Sequence, residues 1–179
     1  MDLVRIGNKL ISRSRIIRRL DEILTLRVQG KSQQETAELL GIDRTFVSRV
    51  EALGEVRKGG RIALVGFPVG NKAALERAAL ELGVDFVLLF TEAERRHYAA
   101  SISGAALVNE IMELSGRLRS FDTVVFLGSD ARVEMVEAMI GRERVIGIPL
   151  GKSPLTADVF VNVDEVVAIL SNLRGTSGP

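Results

Sequence analysis

A chain of 179 residues with 46% hydrophobic side chains carries enough Leu, Val, Ile and Ala for a packed core, which excludes an intrinsically disordered chain and allows one large or two small domains. Cysteine is absent, so disulfides, thiolate metal sites and cysteine nucleophiles are excluded, and a cytoplasmic setting is expected. The net charge of +1 hides an asymmetry: 12 Lys and Arg against 8 Asp and Glu through Gly60, then 12 against 15 from Arg61, so attraction to a polyanion is expected only in the first part.

No apolar run approaches the ~20 residues that span a bilayer, and the opening residues lack the apolar stretch of a signal peptide, so no membrane partner is expected. The opening MDLVRIGNKLI is apolar at Leu3, Val4, Ile6, Leu10 and Ile11 and reads as a short helix for packing on a partner subunit. From Ser14 a helix repeats Ile16, Leu20, Ile23 and Leu24 at i, i+4, i+7 and i+8 and ends at Gly30. Arg13, Arg15, Arg18 and Arg19 cluster at its start, as a solvated face or as a patch for phosphates.

The segment Ser32 to Leu53, SQQETAELLGIDRTFVSRVEAL, reads as two short helices around a tight turn. Ser32 and Glu35 have the spacing of a capping box, Gly41 suits a left-handed helix end, and Asp43 suits the N-cap of the next helix. On that second helix Phe46, Val50 and Leu53, with Val47 beside them, form the apolar side. Arg44, Thr45, Ser48 and Arg49 form the other. An arginine fork fits guanine O6 and N7, and a Thr or Ser hydroxyl reaches a base edge or a phosphate, so this face has the chemistry of a major-groove reader.

The spacing of Gln33, Ala37, Gly41, Val47 and Val50 in QQETAELLGIDRTFVSRVE resembles the helix-turn-helix of the phage Cro/repressor-like (XRE) family. That family keeps a small residue at the helix crossing, glycine in the turn and aliphatic residues on the buried side of the recognition helix. The resemblance covers roughly Ser14 to Leu53. It implies that Gln33 and Gln34 sit near phosphates and that Arg44, Thr45, Ser48 and Arg49 face bases or backbone. After Leu53 the family has two further helices where this chain has only GEVRKGG, so a trihelical domain over residues 1–55 is expected and the family's dimer contact is not carried over.

From Arg61 the pattern changes. Short apolar runs at RIALVGF, VDFVLLF, DTVVFLG, RVIGIPL and DVFVNV are continuous rather than alternating, as in parallel strands covered on both faces. Helical patterns lie between them at Asn71 to Leu82, Gly104 to Leu118 and Asp130 to Ile140, and one at Asp164 to Leu173 closes the chain before a frayed GTSGP tail. The expectation for residues 61–175 is a doubly wound, mostly parallel five-stranded Rossmann-like or flavodoxin-like domain, its last strand placed by a loop and of open direction.

Ligands of such sheets collect beyond the carboxyl ends of the strands. The loops there offer Gly66, Gly70, Asn71 and Lys72 in GFPVGNK, Thr91 at the start of a long loop to Gly104, Ser129 in GSD and Lys152 in GKSP as residues for a small anion. The competing reading of GFPVGNK is architectural, since it matches neither GxGxxG nor GxxxxGK[ST]. Within the long loop, His97 and Tyr98 stand beside Arg95 and Arg96. Those arginines, with Ser101 and Ser103, line an acidic ligand's pocket in one reading; His97 is solvent-exposed in the simpler one. Ser129-Asp130 reads as a helix cap.

No nucleophile, base and orienter form a set, so no enzyme, cofactor or metal is expected. The sequence therefore points to a transcriptional regulator that binds double-stranded DNA as a homodimer. Its α/β domain senses a small anionic effector, dimerises, or does both. The alternative is an enzyme acting on a nucleotide or phosphorylated metabolite, with the helical domain as an accessory.

Overall fold

A computed structural model describes residues 2–56 and 58–175. Residues 176–179, most of the tail read as frayed, lie outside the described residues. The chain divides into two compact units, Met1–Glu55 and Val56–Pro179.

The first unit opens with β1 (Leu3–Ile6) and β2 (Lys9–Ser12), an antiparallel hairpin with Leu3 opposite Ser12 and Ile6 opposite Lys9. This corrects the expected opening helix. Two short apolar runs rich in Val and Ile flank Gly7-Asn8, and Gly7 takes φ +58°, which favours a two-residue turn over a helical one. The Asp2 carboxylate ties the hairpin to the next helix, accepting from Ser12 Oγ at 2.7 Å and from the Ser14 N–H at 2.7 Å.

Helices α1 (Arg13–Val28), α2 (Gln33–Leu40) and α3 (Arg44–Gly54) complete the unit. Their ends are fixed by side chains of the expected kind. Ser32 Oγ accepts from the Glu35 N–H at 3.1 Å while the Glu35 carboxylate accepts from the Ser32 N–H at 2.8 Å. Gly41 ends α2 at φ +62°, and Asp43 Oδ1 accepts from the Thr45 N–H at 2.6 Å. The core is small: Ile23, Ala37 and Val47, one from each helix, are buried with Leu40, Ile42 and Val50 packed around them. Phe46 and Leu53 were expected in that face but are 46% and 88% exposed. The buried stripe of α3 centres on Val47 and Val50, so Phe46 falls at its margin. Leu53, in the last turn, borders an open apolar groove of about 870 Å³ with Leu20 and Leu24.

The second unit is built on four parallel strands, β3 (Ile62–Gly66), β4 (Phe86–Leu89), β5 (Thr123–Ser129) and β6 (Val145–Gly151), in the order β4-β3-β5-β6. The order runs outward from β3 in both directions. Successive residues point to opposite faces, and each face has its own core. Ile62, Leu64, Val125 and Leu127 pack with Leu75 of α4 (Lys72–Glu81) and with Val166 and Leu170 of α8 (Val163–Arg174). Ala63, Val65, Val124 and Phe126 pack with Leu118 of α6 (Gly104–Leu118) and with Val133 and Ile140 of α7 (Asp130–Ile140).

Two expectations are corrected here. The run DVFVNV is not a fifth strand: Val159 makes only an isolated parallel bridge to Val69. The segment from Ser153 to Ala157 is too short for a covering helix, and Asn71 takes over Val161, its amide bonding both the Val161 carbonyl and N–H at 2.8 and 2.9 Å. Likewise Thr91 to Gly104 is not a long loop, because it holds α5 (Glu92–Ser101). Thr91 and Glu94 form a capping box in which Thr91 Oγ1 accepts from the Glu94 N–H at 3.2 Å and Glu94 Oε2 accepts from the Thr91 N–H at 2.8 Å. Among the described residues no helix is long and apolar enough to cross a membrane.

Gly66 ends the central strand against β5, and a Cβ there would stand 2.6 Å from Leu127 Cβ. Gly66→Ala is expected to destabilise the second unit by about 1–3 kcal/mol through overpacking, read as a lower midpoint in chemical denaturation. An unchanged midpoint would show that the two strands separate freely.

Candidate functional site

The outward side of α3 carries Arg44, Thr45, Ser48 and Arg49, all exposed. They stand there because the opposite side is held by Val47, fully buried against Ile23 and Ala37, and because Asp43 fixes where the helix begins. Among the described residues, neither Arg44 nor Arg49 forms an ion pair. The two glutamines of α2 are disposed differently. The Gln33 amide donates to Glu51 Oε2 at 2.7 Å, and Glu51 is also paired with Arg27, so Gln33 belongs to a junction of all three helices. Gln34 is exposed and donates to Glu38 on its own helix at 2.7 Å. Of the basic cluster, Arg19 pairs with Glu22 at 2.7 Å and donates to the Leu40 carbonyl at 3.0 Å, while Arg13, Arg15 and Arg18 are exposed.

The carboxyl end of the parallel sheet brings together most of the residues expected around a ligand, in two groups. Ser129 Oγ and Ser153 Oγ lie 2.6 Å apart, and Asp130 Oδ1 accepts from the Ser153 and Ala131 N–H groups, each at 2.8 Å. Those bonds hold the Asp130 carboxyl below its ordinary value, helped by the charge of nearby Lys152. Ser129 stands at the N-cap of α7 but makes no side-chain bond to the helix.

The second group surrounds the loop after β3. Its backbone donors are largely engaged: the N–H of Phe67 bonds Leu127, that of Val69 bonds Phe90 and that of Gly70 bonds Val159, at 3.0, 2.9 and 2.9 Å. Lys72 is neutralised by Glu94 at 2.7 Å, and a Cβ at Gly70 would press on Phe160 at 3.0 Å. Gly66, Gly70, Asn71, Lys72 and Thr91 thus have architectural work at this end of the sheet. The same holds for Ser101 and Ser103, which bond the Tyr98 carbonyl and cap α6. His97 is exposed.

Three residues not singled out from the sequence complete the group. Glu92, 7% exposed, takes Arg95 through two bonds at 2.9 and 2.7 Å and Arg96 through one at 2.7 Å, while its backbone N–H donates to Asp158 at 2.6 Å. Those two guanidiniums hold the Glu92 carboxyl down at about 2. Arg132, in the first turn of α7, lies over the Phe67 ring with 4.8 Å from its Cζ to the ring centroid. Burial first, and then the charge of Arg95, push the Arg132 guanidinium below its ordinary value, against the opposing pull of Glu92. The spacing E-x-x-R-R was legible as helical i, i+3 and i, i+4 pairing. So was an arginine in a first helical turn, where the dipole disfavours a cation.

No family model, no curated protein and no solved structure matches this chain.

Because its folded value lies below the ordinary 4.5, Glu92 stabilises the fold fully above about 4.5, and that contribution is lost as pH falls toward 2. Glu92→Gln is expected to lower the melting temperature at pH 7 and to flatten the pH dependence of stability over that window. Parallel wild-type and variant curves from pH 5 to pH 2.5 would rule the pairing out as a source of acid sensitivity.

Proposed function

We propose that this chain is a sequence-specific, DNA-binding transcriptional regulator acting in the cytoplasm as a homodimer. In this reading α2, the Gly41 turn and α3 form an XRE-type helix-turn-helix, and α3 enters the major groove. The second unit, a Rossmann-like or flavodoxin-like domain, senses a small anionic effector, dimerises the chain, or does both.

The observation that carries this reading is the outer side of α3, where Arg44, Thr45, Ser48 and Arg49 stand exposed on a helix whose opposite side is pinned by Val47. Two arginines without ion-pair partners among the described residues, next to two hydroxyls, supply the donors that base edges and phosphates accept. The surplus of 12 basic over 8 acidic residues through Gly60 supports it, as does the exposure of Arg13, Arg15 and Arg18. Gln33, tied to Glu51, positions helices in this scheme, and Gln34 is the glutamine left for a phosphate. A two-fold dimer places its recognition helices ~34 Å apart over a palindromic site.

Selection of the full chain on a random duplex pool is expected to enrich a palindromic motif. Arg49→Ala or Arg44→Ala is then expected to weaken binding to that motif by about 1–3 kcal/mol, read by fluorescence anisotropy, and affinity is expected to fall steeply with salt. No enriched motif, or affinity indifferent to salt, would refute the reading.

A further inference from the structure

Arg132 is badly provided for in the chain by itself. It occupies the first turn of α7, at the positive end of the helix dipole. Phe67 covers its guanidinium, and its Nη1 is buried with no hydrogen bond to any described residue. Of the charges around it, the one that acts on it most strongly is another cation, Arg95. A buried guanidinium N–H without an acceptor is destabilising, and a fold gains nothing by keeping it next to a like charge.

The place explains the arrangement. The loop after β3 and the first turn of α7 flank the point where strand order departs from β3 in opposite directions, which in open α/β sheets is where ligands bind. Phe67 comes from one side of that point and Arg132 from the other. Arg95 and Arg96 approach from α5, bridged by Glu92. Among the described residues Asp158 pairs with none of the three arginines; it accepts the Glu92 backbone N–H. The three guanidiniums outnumber the carboxylates of Glu92 and Asp158, so the cluster is net positive.

We propose that this switch point holds the phosphate of a small phosphate monoester, with Arg132 as the fixed fork and with Arg95 and Arg96 closing on it. A phosphate monoester carries about −1.5 to −2 charge at pH 7 and three acceptor oxygens that several guanidinium forks can share, whereas a monocarboxylate offers only two. Glu92 occupies Arg95 and Arg96 in the ligand-free chain, and the phosphate competes with it for them. This inference rests on reading the α/β unit as an effector sensor; it does not depend on DNA binding.

The full chain is titrated with inorganic phosphate, and with acetate at equal ionic strength, while melting temperature and heat of binding are followed. Phosphate is expected to stabilise saturably and acetate not to. Arg132→Met keeps the apolar cover on Phe67 and removes the charge. It is expected to weaken the phosphate response at least about tenfold while leaving the ligand-free melting temperature equal or higher. Arg49→Ala is expected to respond to phosphate as the wild type does. If Arg132→Met does not fold, the Arg95→Gln/Arg96→Gln pair is the substitute, with the same tenfold loss expected. Equal responses to acetate and phosphate, no saturable response, or an undiminished response in Arg132→Met or in the α5 pair overturns the site. A response lost in Arg49→Ala and kept in Arg132→Met also overturns it while leaving the DNA reading intact, and a sound phosphate site with no selected duplex motif does the reverse.

Discussion

The constraint on which the second unit depends is the central position of β3, paired in parallel with β4 on one side and β5 on the other. A parallel neighbour is reached only by a crossover, and crossovers are right-handed. Moving outward from β3 in opposite directions therefore puts the connecting helices on opposite faces: α4 on one, α6 and α7 on the other. The loops after β3 and β5 therefore leave the carboxyl end of the sheet toward opposite faces. Gly66 lets β5 approach closely, and Phe67 and Arg132 meet at this end of the sheet.

That end of the sheet also organises charge. A carboxylate as buried as Glu92 is tolerated because two guanidiniums satisfy it, and the low value of its carboxyl follows from the same contacts. The buried Nη1 of Arg132 has no such partner, a departure from the rule that buried polar groups are hydrogen-bonded. Departures of this kind concentrate where a fold serves a ligand rather than itself. Nearby, Lys72 is matched by Glu94 and Asp130 accepts from the Ser153 N–H.

Among the described residues of the first unit the buried hydrophobic core is Ile23, Ala37 and Val47, so helix ends carry much of the geometry. The Ser32 and Glu35 box, the left-handed Gly41 and the Asp43 cap determine where α2 stops and at what angle α3 leaves. The Arg27, Gln33 and Glu51 junction then locks the three helices together. With the inner side of α3 fixed by Val47, the arginines and hydroxyls on its outer side have no alternative to solvent.

Local signals were readable because their partners lie within a few residues. The caps of α2 and α3, the glycine ends and four continuous apolar strands all follow from neighbours in the chain. The hairpin of Leu3 to Ser12 and helix α5 were misread even though their signals, a Gly-Asn turn between β-rich runs and the Thr91 and Glu94 box, are local too. The composition of each, apolar in one case and charged in the other, outweighed the turn chemistry. Which of Phe46, Val47, Val50 and Leu53 is buried depended on where α1 and α2 press on α3. The fate of Val161 depended on Asn71, 90 positions away. The sequence by itself determined two units, most of their helices and a parallel sheet, since periodicity and capping are short-range physics. Only the tertiary structure decided that Phe67, Glu92, Arg95 and Arg132 come together, because strand order, not spacing along the chain, sets which loops lie side by side.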